Sequence, residues 1–346
     1  MTYCVSETGY DIAVIKYEGY LNRGIGSRII DLNYERVIDD ISTASVTIST
    51  PCLDDCGDLA AADTWNTDLV ILFENVVQWR GPITKIRYRD GAIIIEARDM
   101  LAWLDKRVFP ITATYTDDLV NIAENIWNEA VNSVDPPFHR IIKNLSGITQ
   151  TREMKESQNR IAWNIYGEML PTGLDVTTFG SSVFLGMPQT NPITMDDTMV
   201  SGEVEVVKDG EDQANRVIST ASGDIQFAYP AGDRKGVNGY PLLEVVYSDS
   251  QLQNEDSAEA AAKSRYDFSA RGIRRVNASG GLVLLPTSGI DYHKIIAGQL
   301  VNFRSTKTCY QAEETLRLGR LGVSVNGEGT VASIDLQPLG PYLGSV

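Results

Sequence analysis

The stretch ITKIRYRDGAIIIEARDMLAWLDKR (83–107) constrains this chain more than any other. Asp90-Gly91 stands between two β-type runs and is the strongest short hairpin signal in the sequence, because the pair accepts the backbone angles of a two-residue turn. Before it, Thr84, Ile86 and Tyr88 alternate with Lys85, Arg87 and Arg89, which makes one face of a strand basic. After it, AIIIEARD (92–99) returns as the partner strand. Asp99 is then placed to cap a short turn, MLAWLDKR, with Met100, Trp103 and Leu104 on one face. That face would plug an open end of a β-unit, and Trp103 reads as a core residue.

The same pattern extends through the first third. SRIIDLNYERV (27–37), SVTIST (45–50) and DLVILFE (68–74) read as strands. In the second of these, Val46, Ile48 and Thr50 lie on one face and Ser45, Thr47 and Ser49 on the other. VVQWRGPITKIRYRD (76–90) carries a Gly81-Pro82 break, and residues 51–65 read as a surface excursion with a short helix. Residues 1–110 are therefore expected to form a small barrel-like β-unit.

Residues 111–202 change character. TDDLVNIAENIWNEAV (116–131) has apolar residues at helical spacing, with Thr116 as the expected N-cap. A second helix is expected over 157–170, stopped by Pro171, and a hairpin over 173–188 turning on Gly180-Ser181. From 203 to 346 β-structure returns, with strands over 203–210 and 215–222 about a turn at Asp209-Gly210, and another at 242–249. An Ala-rich helix at about 254–272 interrupts it, capped by Asp256 or Ser257 and ended by Gly272. The last strand alternates Val331, Ser333 and Asp335 against Ala332, Ile334 and Leu336. The expected class is α+β, mainly β: two small β-barrel-like units, 1–110 and 203–346, with an inserted α+β domain over 111–202.

Several function classes lose support. With 30 basic and 46 acidic residues the net charge is −16, so nucleic acid is not an expected ligand, although it could slide past such a surface. No apolar run reaches the length of a membrane span, and the first twenty residues lack the basic and apolar regions of a signal peptide, so synthesis in a cytoplasm is expected. Cys4, Cys52, Cys56 and Cys309 are too scattered for a disulfide framework, and Cys52 and Cys56 lack two further zinc ligands. His139 and His293 have no nucleophile elbow nearby and read as loop or surface residues. Gly24 and Gly26 lack the third glycine of a dinucleotide loop, and LDDCGD (53–58) has Trp65 where a calcium loop needs glutamate. The tripeptides at 144–146 and 277–279 match the glycosylation pattern without a secretion signal. No catalytic, cofactor-binding or metal-binding residue is expected, and no cofactor.

The order of elements resembles a known family. Asp99, Leu101, Leu104 and Arg107 make a D-x-L-x-x-L-x-x-R end to the first β-unit, and Asn215, Arg216 and Val217 an N-R-V strand. Gly298 to Val301 form a G-x-x-V strand and Val331 to Asp335 a V-x-x-I-D strand. With the Arg80-Gly81 strand start, this layout resembles the minor tail proteins of long-tailed actinobacterial phages. It is similar in plan to the baseplate, or tail-tip, hub proteins of contractile-tailed phages. The resemblance implies a non-enzymatic virion component. Two barrel-like units per subunit would form a pseudo-sixfold ring in a homotrimer, with tail tube or distal tail proteins on one side and tip or fibre proteins on the other. DNA would pass through without specific binding. The chain ends at Val346, so no C-terminal lytic domain is expected. A carbohydrate- or receptor-binding β-protein is the alternative, with a cell-wall hydrolase third. The binding reading needs an exposed aromatic platform, whereas Trp65, Trp79, Trp103, Trp127 and Trp163 are spread along the chain, several at core-type positions.

Overall fold

A computed structural model describes residues 9–16, 21–23, 29–50, 62–133, 140–158, 160–202, 204–210, 213–220, 226–232, 234–236, 241–248, 255–269, 273–277, 281–307 and 312–338. Seven strands come first: β1 (Tyr10–Lys16), β2 (Leu21–Arg23), β3 (Ile29–Val37), β4 (Thr43–Ser49), β5 (Thr67–Phe73), β6 (Val76–Arg89) and β7 (Ala92–Arg98). The middle third holds α1 (Ala102–Asp105), β8 (Ala113–Asp118), α2 (Leu119–Trp127), β9 (Arg140–Lys143), β10 (Thr149–Met154), α3 (Ala162–Met169), β11 (Val176–Phe179) and β12 (Ser182–Leu185). Next are β13 (Ile193–Asp196), β14 (Val200–Ser201), β15 (Glu205–Asp209), β16 (Arg216–Thr220), β17 (Gln226–Tyr229), β18 (Glu244–Ser248) and α4 (Glu255–Ser269). The last strands are β19 (Ile273–Asn277), β20 (Leu282–Leu284), β21 (Leu300–Ser305), β22 (Ala312–Asn326) and β23 (Gly329–Pro338).

The protein is mainly β with an α+β middle. The expected barrel-like closure is absent among the described residues. Strands from both ends of the chain instead join one open sheet of 13 strands, in the order β14-β20-β23-β22-β3-β4-β7-β6-β5-β1-β2, with β13 on β21 and β21 on β22. The seam is β22 against β3, antiparallel from Arg320↔Val37 to Val325↔Leu32. Period-two alternation explains its inner face: Leu32 and Tyr34, Val46 and Ile48, Ile93 and Ile95, Val323 and Val325, and Ile334 all point into one apolar cluster. A second cluster gathers Met100, Leu101, Leu104, most of α2 and α3, and Val176, Val183 and Leu185.

Several local expectations change for physical reasons. Gly81-Pro82 does not break β6, which runs through it; a Cβ on Gly81 would lie 1.9 Å from the Arg98 carbonyl oxygen, so only glycine lets β6 cross the end of β7. Asp90-Gly91 does turn β6 into β7, with Gly91 at φ 73°. A second two-residue hairpin, unforeseen, links β5 to β6 at Glu74-Asn75, whose φ values of 49° and 66° suit a primed turn. Thr116 is not the cap of α2. It lies in β8, and Asp118 caps the helix by accepting from Val120 N at 2.9 Å. The hairpin on Gly180-Ser181 forms as expected. β15 and β16 are not hairpin partners: β15 pairs with β19, and β16 with β17 and β18. In α4, Ala258, Ala261 and Ala262 are buried where the helix packs on β16 and β17; Gly272 lies outside the described residues, as does most of the excursion over 51–65.

Candidate functional site

Among the described residues no three His, Cys, Asp or Glu side chains are grouped to hold a metal ion. His139, the four cysteines, Gly24, Gly26, residues 53–58 and most of the tripeptide at 277–279 lie outside the described residues. In the tripeptide at 144–146, the Asn144 amide is already committed, donating to the Met187 carbonyl at 3.0 Å. His293, expected at the surface, is half-buried in a turn over Tyr292–Lys294, stacked on Phe73 at 3.6 Å and 9°. Burial holds its imidazole down at about 4, so it is neutral near neutral pH. The tryptophans make no platform: Trp79 and Trp127 are buried, and Trp65, Trp103 and Trp163 pack against the second core. Trp103 is half-buried, edge-on to Trp65 at 5.5 Å.

What the fold does build is a set of buried polar ties where distant segments meet. Arg36 is fully buried at an inward position of β3. It donates to the Gln78 carbonyl at 3.1 Å, the Gln78 amide oxygen at 2.7 Å and the Ile295 carbonyl at 2.7 Å, and lies over the Phe179 ring at 4.4 Å. One guanidinium thus joins β3, β6, β11 and the turn before β21. Asp99 is a second tie. Its Oδ1 accepts from Leu101 N at 3.0 Å in the turn that leads into α1; the N-cap of α1 itself is Leu101, without a side-chain cap bond. Its Oδ2 accepts from Ser42 Oγ at 2.6 Å and Thr178 Oγ1 at 3.0 Å, and Trp79 Nε1 donates to Ser42 Oγ at 3.2 Å. Complete burial pushes this carboxyl up to about 6 against those hydrogen bonds.

The third tie is an acid–base–acid triad. Arg317 on β22 meets Asp39, in the β3–β4 connection, at 3.3 Å and Asp175, just before β11, at 2.5 Å. Asp39 also accepts from Val176 N at 2.9 Å while its own N–H donates to the Val176 carbonyl at 2.7 Å. Two largely buried carboxylates share one guanidinium, so burial pushes Asp39 up to about 7 and raises Asp175 as well. Beside it a cleft of about 520 Å³ opens between Leu145, Met187, Leu300 and Arg317. Sequence reading missed these ties. The available signal was arginine at an inward position of an apolar alternation, Leu32-Tyr34-Arg36.

The outer face of the central sheet is half-exposed among the described residues. Asn33, Glu35, Ser45, Thr47, Glu96, Ser324 and Ser333 line it on neighbouring strands, with Glu35 paired to Arg320 at 2.7 Å. A shallow trough of about 510 Å³ crosses it. Small polar side chains line it over the apolar core, together with Glu35, Glu96, Arg98 and Arg320.

No protein-family model and no curated protein matches the sequence. Solved structures do. The tail protein from Neisseria meningitidis MC58 superposes at a TM-score of 0.64, covering 96% of this chain and 98% of that one at 12% identity. The 43 kDa tail protein of prophage MuSo2 from Shewanella oneidensis gives 0.63, 95% and 98%, at 10% identity. The fold is that of phage tail proteins. The E. coli c3393 protein is similar too, at a TM-score of 0.53 and 9% identity, covering 92% of this chain and 76% of its own; it is a type VI secretion component described as similar to the phage T4 tail proteins gp27 and gp5. At such identities what is shared is the architecture.

Proposed function

We propose that the protein is a non-catalytic structural subunit of a phage tail tip, a hub that joins the tail tube to the distal tip or fibre. The observation that carries this is full-length likeness to phage tail proteins, 96% of this chain against 98% of the Neisseria protein. The buried ties are in keeping with it, because Arg36 and Arg317 link side chains and carbonyls from the first, middle and last thirds of the sequence. In this reading three copies form a ring whose six β-units face a hexameric tube, and the surplus of acids, 46 against 30 bases, keeps DNA from adhering in the channel. The protein would be made in the host cytoplasm and function in the virion. Electron micrographs of the purified protein test this: annular particles with threefold symmetry and a central opening are expected. Featureless particles together with clearing of cell-wall substrate in a zymogram would overturn it in favour of a hydrolase. The carbohydrate-binding alternative has no supporting observation, since every tryptophan is occupied in packing.

A further inference from the structure

The far half of β6 is rich in exposed basic side chains. Beyond Pro82 the strand outruns β5, whose pairing with it spans Phe73↔Val76 to Asp68↔Pro82. Residues 84–89 therefore pair with β7 on one side and with no strand on the other, among the described residues. Lys85, Arg87 and Arg89 share one face of this open edge, and Tyr88 is 56% exposed on the other. Arg87 pairs with Glu96 across the ladder. Lys85 and Arg89 are exposed and have no carboxylate within ion-pair distance among the described residues. In a chain of net charge −16, two such cations and an exposed tyrosine on an open strand edge stand out from their surroundings.

We propose that this edge, residues 84–89, is a contact surface for a second copy of the same chain, held by Lys85 and Arg89 against the neighbour's acidic surface. The inference rests on the proposed homo-oligomeric assembly and names where one of its contacts lies. Charge complementarity points to the occupant: a second copy carries 46 acids against 30 bases, so its surface offers carboxylates to pair with Lys85 and Arg89 where the two meet. A polyanion is the weaker fit, because two cations neutralise too few phosphates for measurable binding at physiological salt. Lysine and arginine on the edge also discourage indiscriminate strand addition, so the contact works through side chains.

The test is the K85E/R89E variant of the full chain beside wild type, followed by light scattering over a concentration series at 50 and 500 mM salt. Wild type should associate, and less so at high salt; the variant should associate at least about tenfold more weakly at low salt, with unchanged circular dichroism and melting temperature. K85R/R89K should behave as wild type. If wild type associates and K85E/R89E matches it, the edge is not the contact, while the assembly reading stands. If wild type stays monomeric in every condition, both fall. Retention of a 30-bp duplex DNA by wild type but not by the variant at 150 mM salt, with association unaltered, would reassign the edge to nucleic acid.

Discussion

Lowering the pH from 8 to 6 should stabilise this protein, and Asp39 should be a principal cause. Asp39 and Asp175 together place two negative charges on Arg317, with Asp39 buried and Asp175 largely so. A proton on one acid relieves their repulsion and the desolvation of a carboxylate. The folded-state value of Asp39 is about 7 against 3.8 in the unfolded chain. Because the folded value is the higher, its contribution is fully present below about 3.8 and is lost as pH rises through about 7. Linkage then gives roughly 1 to 2 kcal/mol of added stability from pH 8 to 6, and a further gain of the same sign by pH 5. Asp99, raised to about 6, adds a smaller gain of the same sign. The perturbation is Asp39→Asn. Its absolute stability is not the readout, since an amide nitrogen facing Arg317 or Val176 N disturbs the hydrogen bonds. The pH-dependent difference is: urea unfolding followed by tryptophan fluorescence at pH 8, 6 and 5 should show the variant short of the wild-type gain by about the amounts above. With an amide in place of the Asp39 carboxyl, Asp175 becomes the single acidic partner of Arg317 and ionises more readily, so it does not restore the gain. An equal gain in both proteins would refute the assignment of the proton to the triad.

Other consequences follow from the ties and turns. Arg36→Met leaves the Gln78 and Ile295 carbonyls without their donor and should cost about 3 kcal/mol or more, whereas Arg320→Met, at an exposed pair with Glu35, should cost under about 1 kcal/mol; thermal unfolding separates them. Asp99→Ala strips the acceptor from Ser42, Thr178 and Leu101 and should cost about 2 to 4 kcal/mol, seen as a lower urea midpoint at pH 8. Gly81→Ala forces a methyl to within 1.9 Å of the Arg98 carbonyl and should abolish soluble expression, while Gly91→Ala meets open space and should cost only about 1 kcal/mol for its φ of 73°.

Local chemistry is legible in the sequence to the degree that it is local. The Asp90-Gly91 and Gly180-Ser181 hairpins, the alternation of β4 and β23, and the Ala-rich α4 each follow from neighbours a few residues away. The start of α2 departs from expectation because Thr116 and Asp118 are both capping residues, and which one caps depends on β8 pairing with β10 up to Asp118↔Thr149. The union of both chain ends in one sheet is not legible, since β3 and β22 read alike as strands whether or not they meet. The ties are least visible. Arg36, Asp39 and Arg317 look like ordinary surface charges until distant segments close over them. The polar outer face of the sheet has no sequence signature either, because its serines and threonines are those of any half-exposed strand.

The most direct measurement of the central claim is the mass of the purified chain in solution, by light scattering across a concentration series at low salt. The account predicts a species at three times the 38.0 kDa of one chain, or a monomer that approaches that mass as concentration rises. A mass of 38.0 kDa at every concentration would contradict a self-assembling hub and move weight to a monomeric binding module.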